Sequence, residues 1–289
     1  MSNGSQLSVE TNTSINPSED GEMEIAVTPL TRFTVTESAS HIEVANRNKI
    51  YVTRWTYNES GGVCTFDSNG KKMKFVHSGH HNYSGITLSK LGFIFALNTS
   101  KTRVEEFGGV DGKKVKQIKL DLCRDPQAVD IMPSGEILVV DQEKHRIIVY
   151  PHSKKGGAKP RIITNELLRE PYDIATCEDG FYITSGRTRT LLKMDLDGNI
   201  EWKYNEQSRD SKKTVKLLQG VCTDEVGDVY VVDRDNNAIL VLTSDGDFKG
   251  RIKVKETANK NQRPWYVSIR DGIMAVLFSH NLVRTYQLK

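Results

Sequence analysis

The sequence predicts an all-β protein: a six-bladed β-propeller built from four-stranded antiparallel blades. Three observations carry this expectation. One phrase recurs six times at a nearly constant spacing. Asn-Gly, Asp-Gly and Ser-Gly pairs separate short runs of β-branched and aromatic residues. No stretch of the 289 residues repeats its apolar positions with a helical period. A fixed repeat decides an architecture early, because each unit needs its neighbours to bury its faces.

The phrase is clearest at Pro126-Gln127-Ala128-Val129-Asp130, followed by Gly135-Glu136-Ile137-Leu138-Val139-Val140-Asp141 and His145-Arg146-Ile147-Ile148-Val149-Tyr150. A second strong copy runs from Leu218-Gln219-Gly220-Val221 through Gly227-Asp228-Val229-Tyr230-Val231-Val232-Asp233 to Ala238-Ile239-Leu240-Val241-Leu242. Weaker copies begin at Tyr83, Pro171 and Pro264, and a degenerate one at Ala39. The starts at 39, 83, 126, 171, 218 and 264 are 43 to 47 residues apart. A period of roughly 40–45 residues with four strands per unit is that of a propeller blade.

Within each unit the first strand alternates, with apolar Ile42, Ile86, Val129, Ile174, Val221 and Val267 at the equivalent position. The second is an almost unbroken apolar run, as expected of a strand covered on both faces. Pairs such as Asn69-Gly70, Ser134-Gly135, Asp197-Gly198 and Asp271-Gly272 supply the positive φ that tight hairpins need. The sixth unit shows three strands, near Val267–Ile269, Met274–Phe278 and Leu282–Leu288, while an orphan strand at Phe33–Thr36 precedes the first unit. Bare edges invite aggregation, so the orphan strand is expected to close the ring as the outer strand of the last blade. Residues 1–22, rich in Ser, Thr, Asn and Glu, read as a disordered tail, leaving 23–289 as one propeller.

The phrase Pro-x-Ala/Gly-Val, then Gly-x-Ile-x-Val-x-Asp, then Arg-Ile-x-Val, resembles the NHL repeat. The array from about residue 30 to 289 resembles the six-bladed NHL propeller found at the C-terminus of tripartite-motif proteins. It departs from the family pattern where Ser185 and Ser279 replace the usual Asp at the end of the second strand. The resemblance implies recognition of RNA through one loop face, and no cofactor.

Composition fits an ordered domain. The net charge is +3, and no apolar run reaches the roughly 18–20 residues of a membrane span. The amino end lacks a basic-then-apolar leader, and Cys64, Cys123, Cys177 and Cys222 show no paired spacing. A cytoplasmic, monomeric propeller with reduced thiols, away from membranes, is therefore expected.

Three constellations bear chemistry. Asp141 and Asp233 recur at the same place in their blades, so they are expected to brace turns rather than react. First-strand residues alternating with the apolar positions should line the central channel: His41 and Glu43, Gly85 and Thr87, Ala128 and Asp130, Asp173, Gly220 and Cys222, Tyr266 and Ser268. Glu43, Asp130 and Asp173, with His41, are the residues there that could ligate a metal, although no His-x-His or Cys-x-x-Cys spacing exists. Third, the loops joining strands two and three share a face with the inter-blade loops. That face gathers Arg54, Trp55, Tyr57, Tyr83, Lys101, Arg103, Arg124, Lys144, Arg146, Tyr172, Arg187, Arg189, Arg234 and Trp265.

Cations hold phosphates, and aromatic or guanidinium planes stack unpaired bases. The expectation is thus a non-enzymatic platform for single-stranded or hairpin RNA, as in tripartite-motif NHL regulators. One alternative is a protein-binding propeller, such as the substrate-selecting module of a ubiquitin ligase whose RING lies outside this chain. The other is a metal-dependent hydrolase or lyase centred on the channel.

Overall fold

The computed structural model describes residues 15–17, 23–36, 38–55, 61–78, 81–152, 158–205, 214–254 and 262–288. An amino-terminal segment carries β1 (Ile15–Pro17), β2 (Met23–Ile25) and β3 (Val27–Thr34). Blade one is β4 (Ala39–Asn46), β5 (Lys49–Arg54), β6 (Gly62–Phe66) and β7 (Lys72–Ser78). Blade two is β8 (Tyr83–Leu88), β9 (Ile94–Asn98), β10 (Arg103–Phe107) and β11 (Lys114–Lys119). Blade three follows with β12 (Pro126–Ile131), β13 (Ile137–Asp141), β14 (Arg146–Tyr150) and β15 (Arg161–Thr164). Blade four has β16 (Pro171–Thr176), β17 (Gly180–Ser185), β18 (Thr190–Asp195) and β19 (Ile200–Tyr204). In blade five come β20 (Leu218–Thr223), β21 (Val229–Asp233), β22 (Ala238–Leu242) and β23 (Phe248–Lys253). Blade six has β24 (Pro264–Arg270), β25 (Ile273–Phe278) and β26 (Leu282–Leu288).

The expected all-β, six-bladed ring of four-stranded antiparallel blades is what forms. Its sixth blade is completed from the amino end, where β3 pairs antiparallel with β26, Thr34 opposite Leu282 and Val27 opposite Leu288. The closing strand runs from Val27 to Thr34, starting six residues before the expected Phe33–Thr36 and leaving Val35 and Thr36 outside it. Pro29 hides its start in the sequence, yet an outer strand tolerates proline because its outward N–H has no ladder partner. The same segment also enlarges blade five: β1 and β2 form a small hairpin, and β2 runs parallel to β23. Ile15–Pro17 are thus a strand inside the stretch expected to be a tail; its other residues up to 22 lie outside the described residues.

Burial follows the ring. Six apolar clusters sit between successive blades, so each inner strand packs on both sides. Ile42 and Val44 of blade one, for example, meet Tyr266, Ala275 and Leu277 of blade six.

The turns are braced as the repeat implied. Asp141 accepts the backbone N–H of Arg124 and Asp125, and Arg146 Nε donates to it at 2.9 Å. Asp233 accepts from the amides of Lys216 and Leu217 and from Asn236 Nδ2 at 2.6 Å. Where serine replaces the aspartate the contact survives in miniature: Ser185 Oγ accepts the Arg169 N–H and Ser279 Oγ that of Arg263.

Candidate functional site

The site begins with a defect repeated six times. Every inner strand carries a register shift just after its first residue, between Ala39 and His41, Tyr83 and Gly85, Pro126 and Val129, Pro171 and Ile174, Leu218 and Val221, and Pro264 and Tyr266. Such a bulge re-aims the next side chain and strengthens the local twist. Beyond it, alternate residues face the axis. Gly220 sits where the bulges crowd: a Cβ there would lie 2.7 Å from the Tyr266 Cα. Of the expected channel residues, His41, Glu43, Thr87, Asp130, Asp173, Cys222 and Ser268 line one cavity of about 540 Å³, while Gly85, Ala128, Gly220 and Tyr266 are not part of its lining. Its lining extends to residues of the first hairpin turns, Ser89–Leu91 and Met132–Gly135 among them.

His41 Nε2 stands 3.5 Å from Asp173 Oδ1, linking blades one and four across the axis. The His41 ring lies against Tyr266 with centroids 4.3 Å apart, and Tyr172 stacks behind Tyr266 at 5.9 Å. These rings explain why Tyr172 is half-buried rather than open on the loop face. His41 Nδ1 is buried and has no hydrogen-bond partner among the described residues.

The three channel carboxylates differ in what they have left to offer. Asp130 knits three blades: Thr87 Oγ1 donates to Oδ1, Thr176 N–H and Oγ1–H to Oδ2, and its neighbour Ile131 N–H to Oδ1. Burial still pushes its carboxyl upward against those bonds. Asp173 takes the Val221 N–H at 2.9 Å on one oxygen and faces His41 with the other. Glu43 is different. Its Oε2 accepts from Ser268 Oγ at 3.0 Å, the serine being oriented by the Val44 N–H that it accepts at 2.9 Å. Its Oε1 has only Arg270, 3.9 Å away. Burial, followed by the nearby Asp130 charge, outweighs Arg270, Ser268 and His41, and lifts the Glu43 carboxyl to about 7. Beside it burial holds Cys222 well above an ordinary thiol, hence uncharged. Among the described residues no three His, Cys, Asp or Glu side chains are gathered as a metal site.

Glu43 therefore carries a pH signature. The folded chain holds its proton more tightly than an unfolded one, whose ordinary value is 4.5. Its burden is nil below about pH 4.5, grows between about 4.5 and 7, and is complete above about 7. Glu43→Gln should accordingly be more stable than the parent at pH 8, by on the order of 2 kcal/mol, with the gap closing at pH 4. Urea melts at the two pH values check this.

The residues expected on the loop face do not form one surface. Arg54, the last residue of β5, is 1 % exposed, and Tyr83, the first of β8, is 0 % exposed. Neither presents itself to a ligand; both belong to strands rather than to the loops beside them. Tyr83 instead donates its phenol to Glu105 inside blade two. Arg103 pairs with Glu105, Arg146 with Asp141 and Lys144 with Glu143. Arg234 lies 5.8 Å over the half-buried Trp265 ring, and Trp55 is half-buried too. Lys101, Arg124, Arg187 and Arg189 remain exposed, and none has an ion pair among the described residues. Tyr57 lies outside the described residues. Arg270 and Thr176, which complete the channel, were missed because they follow the repeated phrase.

No known family model and no curated protein sequence matches the chain. Solved structures share its fold at low identity. Virginiamycin B lyase from Staphylococcus aureus aligns over 89 % of this chain and 88 % of its own, with TM-score 0.59 and 15 % identity. A gluconolactonase from Xanthomonas campestris covers 89 % of both chains with TM-score 0.63 and 11 % identity. The WD40 propeller domain of Doa1 covers 91 % of this chain and 97 % of its own, with TM-score 0.61 and 11 % identity. The class defined is thus the six-bladed β-propeller. The expectation of a non-enzymatic chain is corrected here: two of these three propellers are named as enzymes, so this fold gives no ground for excluding catalysis. Among the described residues no helix is long and apolar enough to cross a membrane.

Proposed function

We propose that the chain works through its channel: a small polar molecule enters the cavity of about 540 Å³ and exchanges a proton with Glu43. The observation that carries this reading is the placement of the Glu43 carboxyl: it lines the cavity, accepts from Ser268 on one oxygen and has Arg270 3.9 Å from the other, and burial lifts it to about 7. A carboxyl poised near neutrality both gives and takes protons efficiently. Protonated, it donates to a departing oxygen; ionised, it removes a proton from carbon or from water. Ser268 and Arg270 fix its orientation, while Asp130 and Asp173, engaged between blades, hold the wall rigid. The lyase and gluconolactonase among the similar folds support lactones and cyclic esters as the first compounds to try.

A panel of such compounds, followed by NMR at pH 7, tests the reading. Turnover is expected to follow an apparent pKa of about 7 and to fall roughly 10²–10⁴-fold in Glu43→Gln with binding retained. Turnover or binding indifferent to that substitution would count against it.

RNA on the loop face is a second reading, favoured by Lys101, Arg124, Arg187 and Arg189 standing exposed without partners among the described residues. The resemblance of the repeats to NHL propellers supports it. Affinity for a uridine-rich oligonucleotide should fall steeply with salt, by about 0.7 log units per tenfold salt for each phosphate held. Arg187→Glu/Arg189→Glu should weaken it at least tenfold. Absent binding at low salt, or binding only to a protein partner after nuclease treatment, would overturn this second reading.

A further inference from the structure

Away from the channel, the outer half of blade two holds like charges in direct opposition. Arg103 on β10 and Lys119 on β11 are cross-strand partners, so their side chains leave the same face. Like charges placed opposite one another destabilise a sheet pair. Glu105 on the same strand pairs with Arg103, but it is one carboxylate shared between two cations. Two residues along, Glu105 is fully buried and already engaged on both oxygens: Oε1 by Arg103 and by Lys114 at 2.7 Å, Oε2 by the Tyr83 hydroxyl and Asn98 Nδ2. Lys114 alone balances the single charge of Glu105. The Arg103 charge, and those of Lys119 and Lys101, therefore remain in excess over the exposed Asp121.

The same residues surround a second cavity, of about 400 Å³, between the rim of blade two and its link to blade three. Lys101, Arg103, Gln117 and Lys119 line it together with the backbone turn at Thr102, whose φ is +46°. Glu105 grips one edge of the Arg103 guanidinium, which fixes its plane in advance, and the Arg103 Nε–H is buried with no acceptor among the described residues. Lys101 and Lys119 are exposed, and neither has a carboxylate partner among the described residues. A guanidinium held from behind, with two ammonium groups beside it, matches the several oxygens of a phosphate rather than one carboxylate.

We propose that this cleft is a phosphate-binding site, taking either a backbone phosphate of a nucleic acid or the phosphate of a small molecule. The bound anion would lie between Arg103 and Lys119 and remove their opposition. This site is independent of the channel.

Calorimetry with tripolyphosphate at low salt tests it, using the whole chain. Substituting Arg103 would strip Glu105 of a partner and risk the fold, so the informative variant is Lys101→Ala/Lys119→Ala, both side chains being exposed. The expected result is saturable binding by the parent, weakened at least tenfold in the variant, whose melting temperature without ligand is unchanged or higher. Tripolyphosphate should raise the melting temperature of the parent more than that of the variant. A short RNA oligomer that displaces tripolyphosphate identifies a nucleic acid as the source. Tripolyphosphate binding that RNA cannot displace identifies a small phosphate compound, and either supports the site. No binding at low salt, or equal binding by parent and variant, overturns it.

Discussion

Deleting residues 23–34 is expected to abolish the folded monomer. Those residues supply β3, the fourth strand of the last blade, and pair along β26 from Leu282 to Leu288. Phe33 on that strand packs on Phe66 of blade one, ring centroids 5.0 Å apart, while Ile25 just before it is buried between blades five and six. Each buried large apolar side chain is worth about 1.5–3 kcal/mol. Their loss, with a bare edge added, rivals the 5–15 kcal/mol that holds a typical domain together. Size-exclusion chromatography should show aggregate, and heating should show no cooperative transition. A monodisperse deletion that melts cooperatively would refute ring closure from the amino end.

The second large effect belongs to Glu105. Removing it in Glu105→Ala leaves Arg103, Lys114, the Tyr83 hydroxyl and Asn98 inside or against blade two without their acceptor. Breaking a buried pair from one side costs about 3–5 kcal/mol. Burial alone would raise this carboxyl, but hydrogen bonds from Lys114, Tyr83 and Asn98 and the Arg103 charge hold it at about 2. Its contribution is thus complete above its ordinary 4.5 and disappears as pH falls toward 2. Urea melts at pH 7 should reveal the full loss in Glu105→Ala, and the two proteins should converge in acid. An alanine variant as stable as the parent at pH 7 would show that the network carries no stability.

Both effects bear on what a repeat discloses. The phrase around Asp141 and Asp233 fixes strand order, blade number and bracing, because those needs are the same in every blade. The inward set, from His41 and Glu43 to Ser268, is legible for a related reason: alternation decides which side chains meet the axis. Availability is not legible. Asp130 and Glu43 occupy equivalent places, yet Thr87 and Thr176 engage one, while the other keeps an oxygen facing the cavity. That difference depends on neighbours some 43 to 46 residues away in the chain.

Exposure beside the loops is not legible, for the converse reason. Arg54 and Tyr83 sit next to loops in sequence, but the strand ends carry them inward. The one local sign was the pair Glu105-Glu106 set between Val104 and Phe107, since buried carboxylates need partners. The short strands β1 and β2 left no sign, as three residues of Ile-Asn-Pro or Met-Glu-Ile are too few to show alternation.

The most direct test of the channel as the working site is the titration of Glu43, followed by carboxyl carbon NMR with Glu43→Gln to assign the resonance. The account predicts an apparent pKa of about 7, displaced when a small polar ligand occupies the cavity, with chemical-shift changes centred on His41, Glu43 and Ser268. A Glu43 resonance that titrates near 4.5 and ignores every ligand that binds the chain would contradict it.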